Sequence, residues 1–447
     1  MSKPLFDAVM AHKNMGDVSF HTPGHKGNAW ELDELFSSKC DLTELCYTDE
    51  LFMPTGVIAE AEGKATNFFK SKATLFSAGG CSLCIQAMLR IVCKKEGAKI
   101  IAGRNIHRSA VNAMMLLNIK PVWIVAKQQK DEPFLPGRIT AQDVRTALEK
   151  HRDADAVYIT TPDYYGCISD VSGISSVCHE FGVPLLVDRA HGAHLPFISE
   201  TSQIISGADM YADSAHKTMP VFTGGAFLNI YNETYIKQAK NAMALFASTS
   251  PSYPVMCSLD FAREWLEDNG INAWESTALK VKSLKEVAKD KGFTVPNGIC
   301  DPTRLTIGTA KLGLDGTKLA KYFESKRIFP EYSDKAHVVF IITPFNTNNE
   351  LELLRSEIFN LDVKQNSFTP KNNEFILPKE ACSLREALFA EKERINTENS
   401  VGKIAGEILC PCPPGVPVVM PGEIISNHAV FTLLEYGITE VEVVYGM

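Results

Sequence analysis

Between residues 73 and 230 the chain alternates short apolar runs with longer stretches of mixed polarity. The runs are "ATLFSA", "KIIAG", "PVWIVA", "DAVYITT", "VPLLVD", "ADMYAD" and "GGAFLNI". Near-continuous apolar character over so few residues predicts strands buried on both faces. Among them, "SLCIQAMLRIVCKK", "HRSAVNAMMLLN", "TAQDVRTALEKH" and "GISSVCHEFG" read as helices. The rhythm predicts a largely parallel sheet with helices on both faces. In such sheets ligands lie beyond the carboxyl ends of the strands, so the polar residues that follow each run are where chemistry is expected.

The flanks differ. "HTPGHKGNAW" reads as a loop from its Pro, Gly and His content. From about residue 250, "YPVMCSLDFAREWLEDNG" predicts a helix, and "RLTIGTA" and "HVVFIIT" predict strands of a second α/β region. "PKNNEFILPKE" reads as a linker or surface loop. The expected organisation is an N-terminal segment over 1–60, a large domain over 61–270 and a smaller C-terminal α/β region over 271–447. No internal repeat or low-complexity tract interrupts it.

Composition adds exclusions. The 447 residues are 45% hydrophobic and 22% charged, enough for more than one core. A net charge of -8 argues against a general nucleic-acid surface. No apolar stretch is long enough to predict a membrane span. The N-terminal residues lack a signal-peptide pattern, and a cytoplasmic protein is expected. The 12 cysteines are scattered and many lie in apolar runs, which reads as reduced, buried thiols. "CSLC" (Cys81, Cys84) and "HGAH" (His191, His194) are pieces that zinc sites use. Without a second close-spaced cysteine pair, no metal is expected.

Two residues stand out at the strand ends. Asp188 closes "VPLLVD", where a buried carboxylate is costly unless it meets a cation; a salt bridge to Arg189 or a helix cap would be the ordinary reason for it. Lys217 stands in "DSAHKT", between two strand-like runs, where a solvated turn lysine is the ordinary reading. Together they suggest pyridoxal phosphate (PLP). The lysine would form an imine with its aldehyde, and the aspartate would keep its pyridine nitrogen protonated. "FSAGGCSLCIQ" supplies a glycine turn (Gly80, Cys81) feeding a helix N-terminus suited to a phosphate. Ser214 and His216 could add donors, and His107 in "GRNIHRSA" is placed to stack on the ring.

At these motifs the chain resembles the fold-type-I PLP-dependent decarboxylases of ornithine, lysine and arginine. The resemblance runs through "HTPGHKG", "DLTEL", "GRNIHRSA", "TTPDYYG", "VDRAHGAH", "DSAHKT", "TSPSYP" and "PPGVPVVMPGE", nearly the whole chain. It is closest to the shorter members, without an N-terminal wing domain. It implies a large domain with a mixed, mostly parallel seven-stranded sheet and a smaller C-terminal domain. Lys217 would carry the cofactor, Asp188 would pair with the ring nitrogen, and Ala190 would lie against the ring. His191 would approach the phenolic oxygen, and His107 would stack. Ser214 and His216 would contact the phosphate. Sites of this family lie at a dimer interface, so Thr249 and Ser250 in "STSPSYP" would serve the neighbouring subunit.

The chain departs from the family's pattern at Arg189, where Glu is common, and at Gly80 and Cys81, where hydroxyl residues are usual. It also departs at Gly224, often Gln, and at Cys412, usually Tyr. The implied reaction is decarboxylation of a basic amino acid, arginine or lysine ahead of ornithine, giving an amine of the polyamine type. Asp163, Glu331 and Asp334 are candidates to meet the distal cation, each with an ordinary turn or cap role as the alternative. Asp163 has the better position, after a large-domain strand. A guanidinium of Arg189 facing the pocket would instead favour an acidic or neutral substrate. An aminotransferase using Arg304 as a carboxylate clamp, and a degenerate homologue with an assembly role, are the competing readings.

Overall fold

The computed structural model describes residues 3–14, 16–128, 132, 134–362, 375–410 and 417–446, and the apolar runs become strands. After a short β1 (Val18–Phe20) come β2 (Ala73–Ser77), β3 (Lys99–Gly103), β4 (Lys120–Ile124) and β5 (Ala156–Thr160). They are followed by β6 (Leu185–Asp188), β7 (Met210–Asp213) and β8 (Ala226–Ile230). Strands β2 to β8 make a seven-stranded sheet in the order β2-β8-β7-β6-β5-β3-β4. β4, β3, β5, β6 and β7 are parallel, and β8 runs antiparallel to β7 and β2.

Successive side chains enter different cores, which explains the unbroken apolar runs. Ile100, Ala102, Tyr158, Leu186 and Ala212 join one core. Ile101, Val157, Ile159, Val187 and Tyr211 join the other. A strand with a core on each side has no position for a solvated residue. Charged groups are displaced to the strand ends.

The N-terminal segment is divided between regions. β1 pairs in parallel with β10 (Ile328–Pro330), after β9 (Arg304–Gly308), and Phe20 joins a second core with Leu305, Phe323 and Phe340. That region also holds β11 (Tyr332–Ser333) and β12 (His337–Ile341), in an antiparallel sheet of order β11-β12-β9. One helical rod joins it to the large domain. Helix Tyr253–Trp265 continues through a π-helical turn, Leu266–Gly270, into helix Ile271–Asp290. On that last helix Trp274 packs in the large-domain core, while Val281, Leu284 and Ala288 pack in the second.

A third core, from Ala405 to Val443, lies under β13 (Lys392–Asn396) and β14 (Glu440–Val444). The C-terminal region therefore builds two cores. Part of the expected linker (370–374) and Cys412 lie outside the described residues.

A buried ion pair fastens the third core to the sheet. Both guanidinium nitrogens Nη1 and Nη2 of Arg104, just past β3, donate to Glu423 at 2.7 Å, with 2% and 5% of the side chains exposed. Met420 N–H also donates to Glu423, at 2.7 Å. Removing one partner leaves the other charge buried and alone. Glu423→Ala is expected to destabilise the protein by about 3–5 kcal/mol, read as a lower urea midpoint. An unchanged midpoint would show that solvent reaches Arg104.

Candidate active site

The chain passes outward from β3 to edge strand β4, then returns to β5 on the other side of β3. Such a reversal opens a crevice at the carboxyl ends. A cavity of about 400 Å³ lies there, lined by Asp188, Lys217, His107, His191, Ala190, Ser214, His216, Gly80 and Cys81, among others. Residues far apart in sequence thus converge on one site.

Asp188, the last residue of β6, is 1% exposed. Its Oδ2 accepts from Tyr158 Oη at 3.1 Å and its Oδ1 from Ala190 N–H at 3.1 Å. Burial holds its pKa above the usual range, against the opposing pull of His107 and Lys217. Cys81 Sγ lies 4.0 Å from Asp188 Oδ1, so this thiol faces the carboxylate rather than an anion at the glycine turn.

Arg189 is turned away, contrary to both expectations for it. It donates from Nε and Nη2 to Asp213 at 2.7 and 2.6 Å, and its guanidinium lies 4.2 Å over the Tyr211 ring. The cause is register. Asp188 pairs with Ala212, so the next residue of each strand, Arg189 and Asp213, meet on the opposite face. Arg189 neither neutralises Asp188 nor enters the cavity to repel a basic substrate.

Lys217 stands on the short helix Ala215–Thr218 between β7 and β8, with Nζ 2.9 Å from His191 Nε2. Burial lowers its pKa, which raises the fraction of free amine. Burial, then the charge of Lys217, pushes His191 well below its normal value, so this ring is neutral. Lys217 is therefore not a solvated turn lysine. The other ring nitrogen of His191, Nδ1, is buried with no hydrogen-bond partner among the described residues.

His107 caps helix Arg108–Leu116, and its Nδ1 lies 2.7 Å from Ser109 Oγ, which fixes the ring. Gly80 has φ +72°, a conformation that favours glycine. Its N–H donates to Gly224 O at 2.7 Å. Gly80 therefore shapes the turn but does not offer its own amide to an anion. The following amides of helix Gly80–Val92 remain for that role, beside Ser82, which also lines the cavity. Ser214 Oγ lies 3.2 Å from His216 Nδ1, and burial pushes His216 down to about 4, so it too is neutral. Thr249 and Ser250 are exposed, in the segment before helix Tyr253–Trp265.

Each acidic candidate already has donors. Asp163 Oδ1 accepts from the N–H groups of Tyr165 (2.9 Å) and Cys167 (2.8 Å), and burial raises its pKa to about 6. Asp334 accepts from Tyr165 Oη at 2.7 Å and from the N–H groups of Ala336 and His337, both at 2.7 Å. Asp163 and Asp334 line the cavity. Glu331 accepts from Tyr164 Oη at 2.9 Å and Thr22 N–H at 2.8 Å. Arg304 is a brace: Nη1 donates to Tyr164 O and Nη2 to His191 O, both at 3.2 Å. His194 is likewise structural, with Nε2 2.9 Å from Thr303 Oγ1 and 3.1 Å from Asp301.

Sequence reasoning missed Tyr158, which sits inside an apolar run and resembles any other core aromatic. It also missed Tyr164, whose ring lies 4.7 Å from His191. Arg104, Thr432 and Glu435 line the cavity as well, the last two on helix Asn427–Glu435 of the third core. The adjacent "DYYG" could have pointed to Tyr164; nothing local pointed to Thr432 or Glu435.

The set fits PLP. An amine of lowered basicity, a buried carboxylate, a helix N-terminus and a buried imidazole nitrogen without a partner all face one cavity. Lys217, Asp188, His107, His191, Ser214 and His216 would hold the cofactor.

Residues 3–291 match the family described as "Orn/Lys/Arg decarboxylase, major domain", and residues 362–438 match its C-terminal domain. The chain is 32% identical to an arginine decarboxylase of Halalkalibacterium halodurans, over 95% of this chain and 91% of the relative. It is 31% identical to an arginine decarboxylase of Bacillus subtilis, over 95% and 91%. Among solved structures, a lysine decarboxylase of Francisella novicida superposes with a TM-score of 0.75 at 17% identity, over 99% of this chain and 81% of that one.

Proposed function

The chain belongs to the Orn/Lys/Arg decarboxylase family and is a basic amino-acid decarboxylase, and we propose that its substrate is arginine and its cofactor PLP, held by Lys217. The observation that carries this reading is the convergence of Lys217, Asp188, His107 and His191 on one cavity. The substrate follows the arginine decarboxylases that cover nearly all of the chain.

PLP, when bound, supplies the electron sink that lets a carboxylate leave as carbon dioxide. The chain's residues prepare for this. Asp188 would hold a proton on the ring nitrogen, and Tyr158 and Ala190 fix the carboxylate's direction. His107, locked by Ser109, would cover the ring face. The amides of helix Gly80–Val92 after Gly80, with Ser214 and His216, take the phosphate. Lys217 would hold the cofactor through its aldehyde, and its amine of lowered basicity could hold a proton beside the substrate. The bonds of Arg304 to backbone carbonyls argue against its use as an aminotransferase clamp. Borohydride treatment of the PLP-loaded protein should fix a pyridoxyl group on Lys217; its appearance on another lysine would refute this placement.

Asp163 would meet the distal guanidinium. Its Oδ1 is held by the turn, and its raised pKa reflects a carboxyl that burial leaves short of compensating charge. Asp163→Asn keeps an acceptor for both amides. It is expected to raise KM for arginine about 100-fold with kcat changed far less. Arginine binding would favour the ionised carboxylate and lower its pKa, so wild-type affinity should weaken as pH falls through about 6. KM measured from pH 5 to 8 checks this; a flat profile would place the recognition elsewhere. Thr249 and Ser250, exposed in one chain, would complete the site of a second copy in a homodimer or larger assembly.

A further inference from the structure

We propose that Cys167 and Cys300 form a reversible redox-modification site, which hydroperoxides oxidise to a cross-strand disulfide. The pair joins two regions. Cys167 follows the turn after β5, and Cys300 precedes β9 of the second region. They meet across an isolated antiparallel bridge. Ile168 N–H donates to Ile299 O at 3.0 Å and Asp301 N–H to Gly166 O at 2.7 Å. These bonds flank the cysteines, so the pair occupies a non-hydrogen-bonded position. Cα atoms there stand about 4.5 Å apart with side chains close, within the span of about 4.4–6.8 Å that disulfides use.

The surroundings assign the two roles. Cys300 is half-buried and Cys167 is 3% exposed, so an oxidant reaches Cys300 first. Arg138 Nη2 lies 3.3 Å from Cys300 Sγ, a cation that favours the thiolate. The thiol pKa of Cys300 is lowered, first by the neighbouring Cys167 thiol and then, against the opposing effect of burial, by Arg138. Cys84, Cys93 and Cys178 are instead pushed up to about 12, chiefly by burial.

In the first step Cys300 gives up its proton and its sulfur attacks the terminal peroxide oxygen. An S–O bond forms, the O–O bond breaks, and the departing oxygen takes a proton to leave as an alcohol or water. In the second step Cys167 sulfur attacks Cys300 sulfur. The S–S bond forms, the S–O bond breaks, and water leaves with the Cys167 proton. Two thiols and one hydroperoxide give one disulfide, one alcohol or water, and one water. A dithiol reverses the change by exchange.

The bridge would act on the cavity wall. Cys167 N–H donates to Asp163 Oδ1, and Asp163 N–H donates to Cys167 O at 2.9 Å. A disulfide would tie that turn to the strand entry that carries Asp301 and Arg304.

The full-length protein, treated with hydrogen peroxide, alkylated and digested without reduction, should yield a Cys167–Cys300 cross-linked peptide two hydrogens lighter than the sum of its parts. Two titratable thiols should disappear and return with dithiothreitol. Cys167→Ser should remove the cross-link and leave Cys300 to advance to sulfinic acid. Sulfinic acid at Cys300 in the wild type with Cys167 still free, a link to another cysteine, or no change at either residue would each overturn the proposal.

Discussion

Lys217→Ala is expected to lower decarboxylation of arginine by about 10⁴-fold or more, the scale seen when a covalent catalyst is removed. Lys217 is buried, hydrogen-bonded to a neutral His191, and depressed in basicity. No hydroxyl or imidazole could take over the bond that Lys217 is proposed to make to an aldehyde carbon. Lys217→Arg should fail as completely, because a guanidinium keeps its proton. Turnover within tenfold of wild type in either variant, measured as carbon dioxide release, would remove Lys217 from the mechanism.

The second large effect belongs to Asp188. Asp188→Asn is nearly isosteric: its amide oxygen can still accept from Ala190 N–H, while the NH2 in place of Oδ2 can donate to Tyr158 Oη. What it loses is the negative charge that would stabilise a protonated ring nitrogen through a charge-assisted bond. A fall in kcat of about 10²–10³-fold is expected, with a smaller change in KM. Tyr158→Phe should cost much less, since Ala190 N–H still orients the carboxylate. Equal losses in kcat for both variants would mean that orientation, not charge, is the contribution of Asp188.

Both residues are legible in the sequence, and the reason is physical. A strand with a core on each face keeps charged groups to its ends, so Asp188 and Lys217 stand out beside apolar runs. His107, Ser214 and His216 follow the same logic. What local sequence does not carry is register. Whether Arg189 faces the cavity depends on Ala212 standing opposite Asp188, and that pairing leaves no trace in either segment. Tyr158 is hidden for the converse reason: a tyrosine in an apolar run looks like core unless its hydroxyl is known to reach Asp188. Arg104 and Glu423 lie more than 300 residues apart (423 minus 104) and pair only because the third core packs over the sheet. The same packing brings Thr432 and Glu435 to the cavity. The N-terminal segment is hard to place from sequence because β1 pairs with β10, which follows the whole large domain in the chain.

The identity of the reaction is tested most directly by product analysis. The PLP-loaded protein is incubated with L-arginine labelled at the carboxyl carbon, and with lysine, ornithine, glutamate and a neutral amino acid in parallel. Labelled carbon dioxide and the corresponding amine should appear in equal amounts, with kcat/KM highest for arginine. Formation of a keto acid with the label retained, or a higher kcat/KM for glutamate or the neutral amino acid, would contradict it.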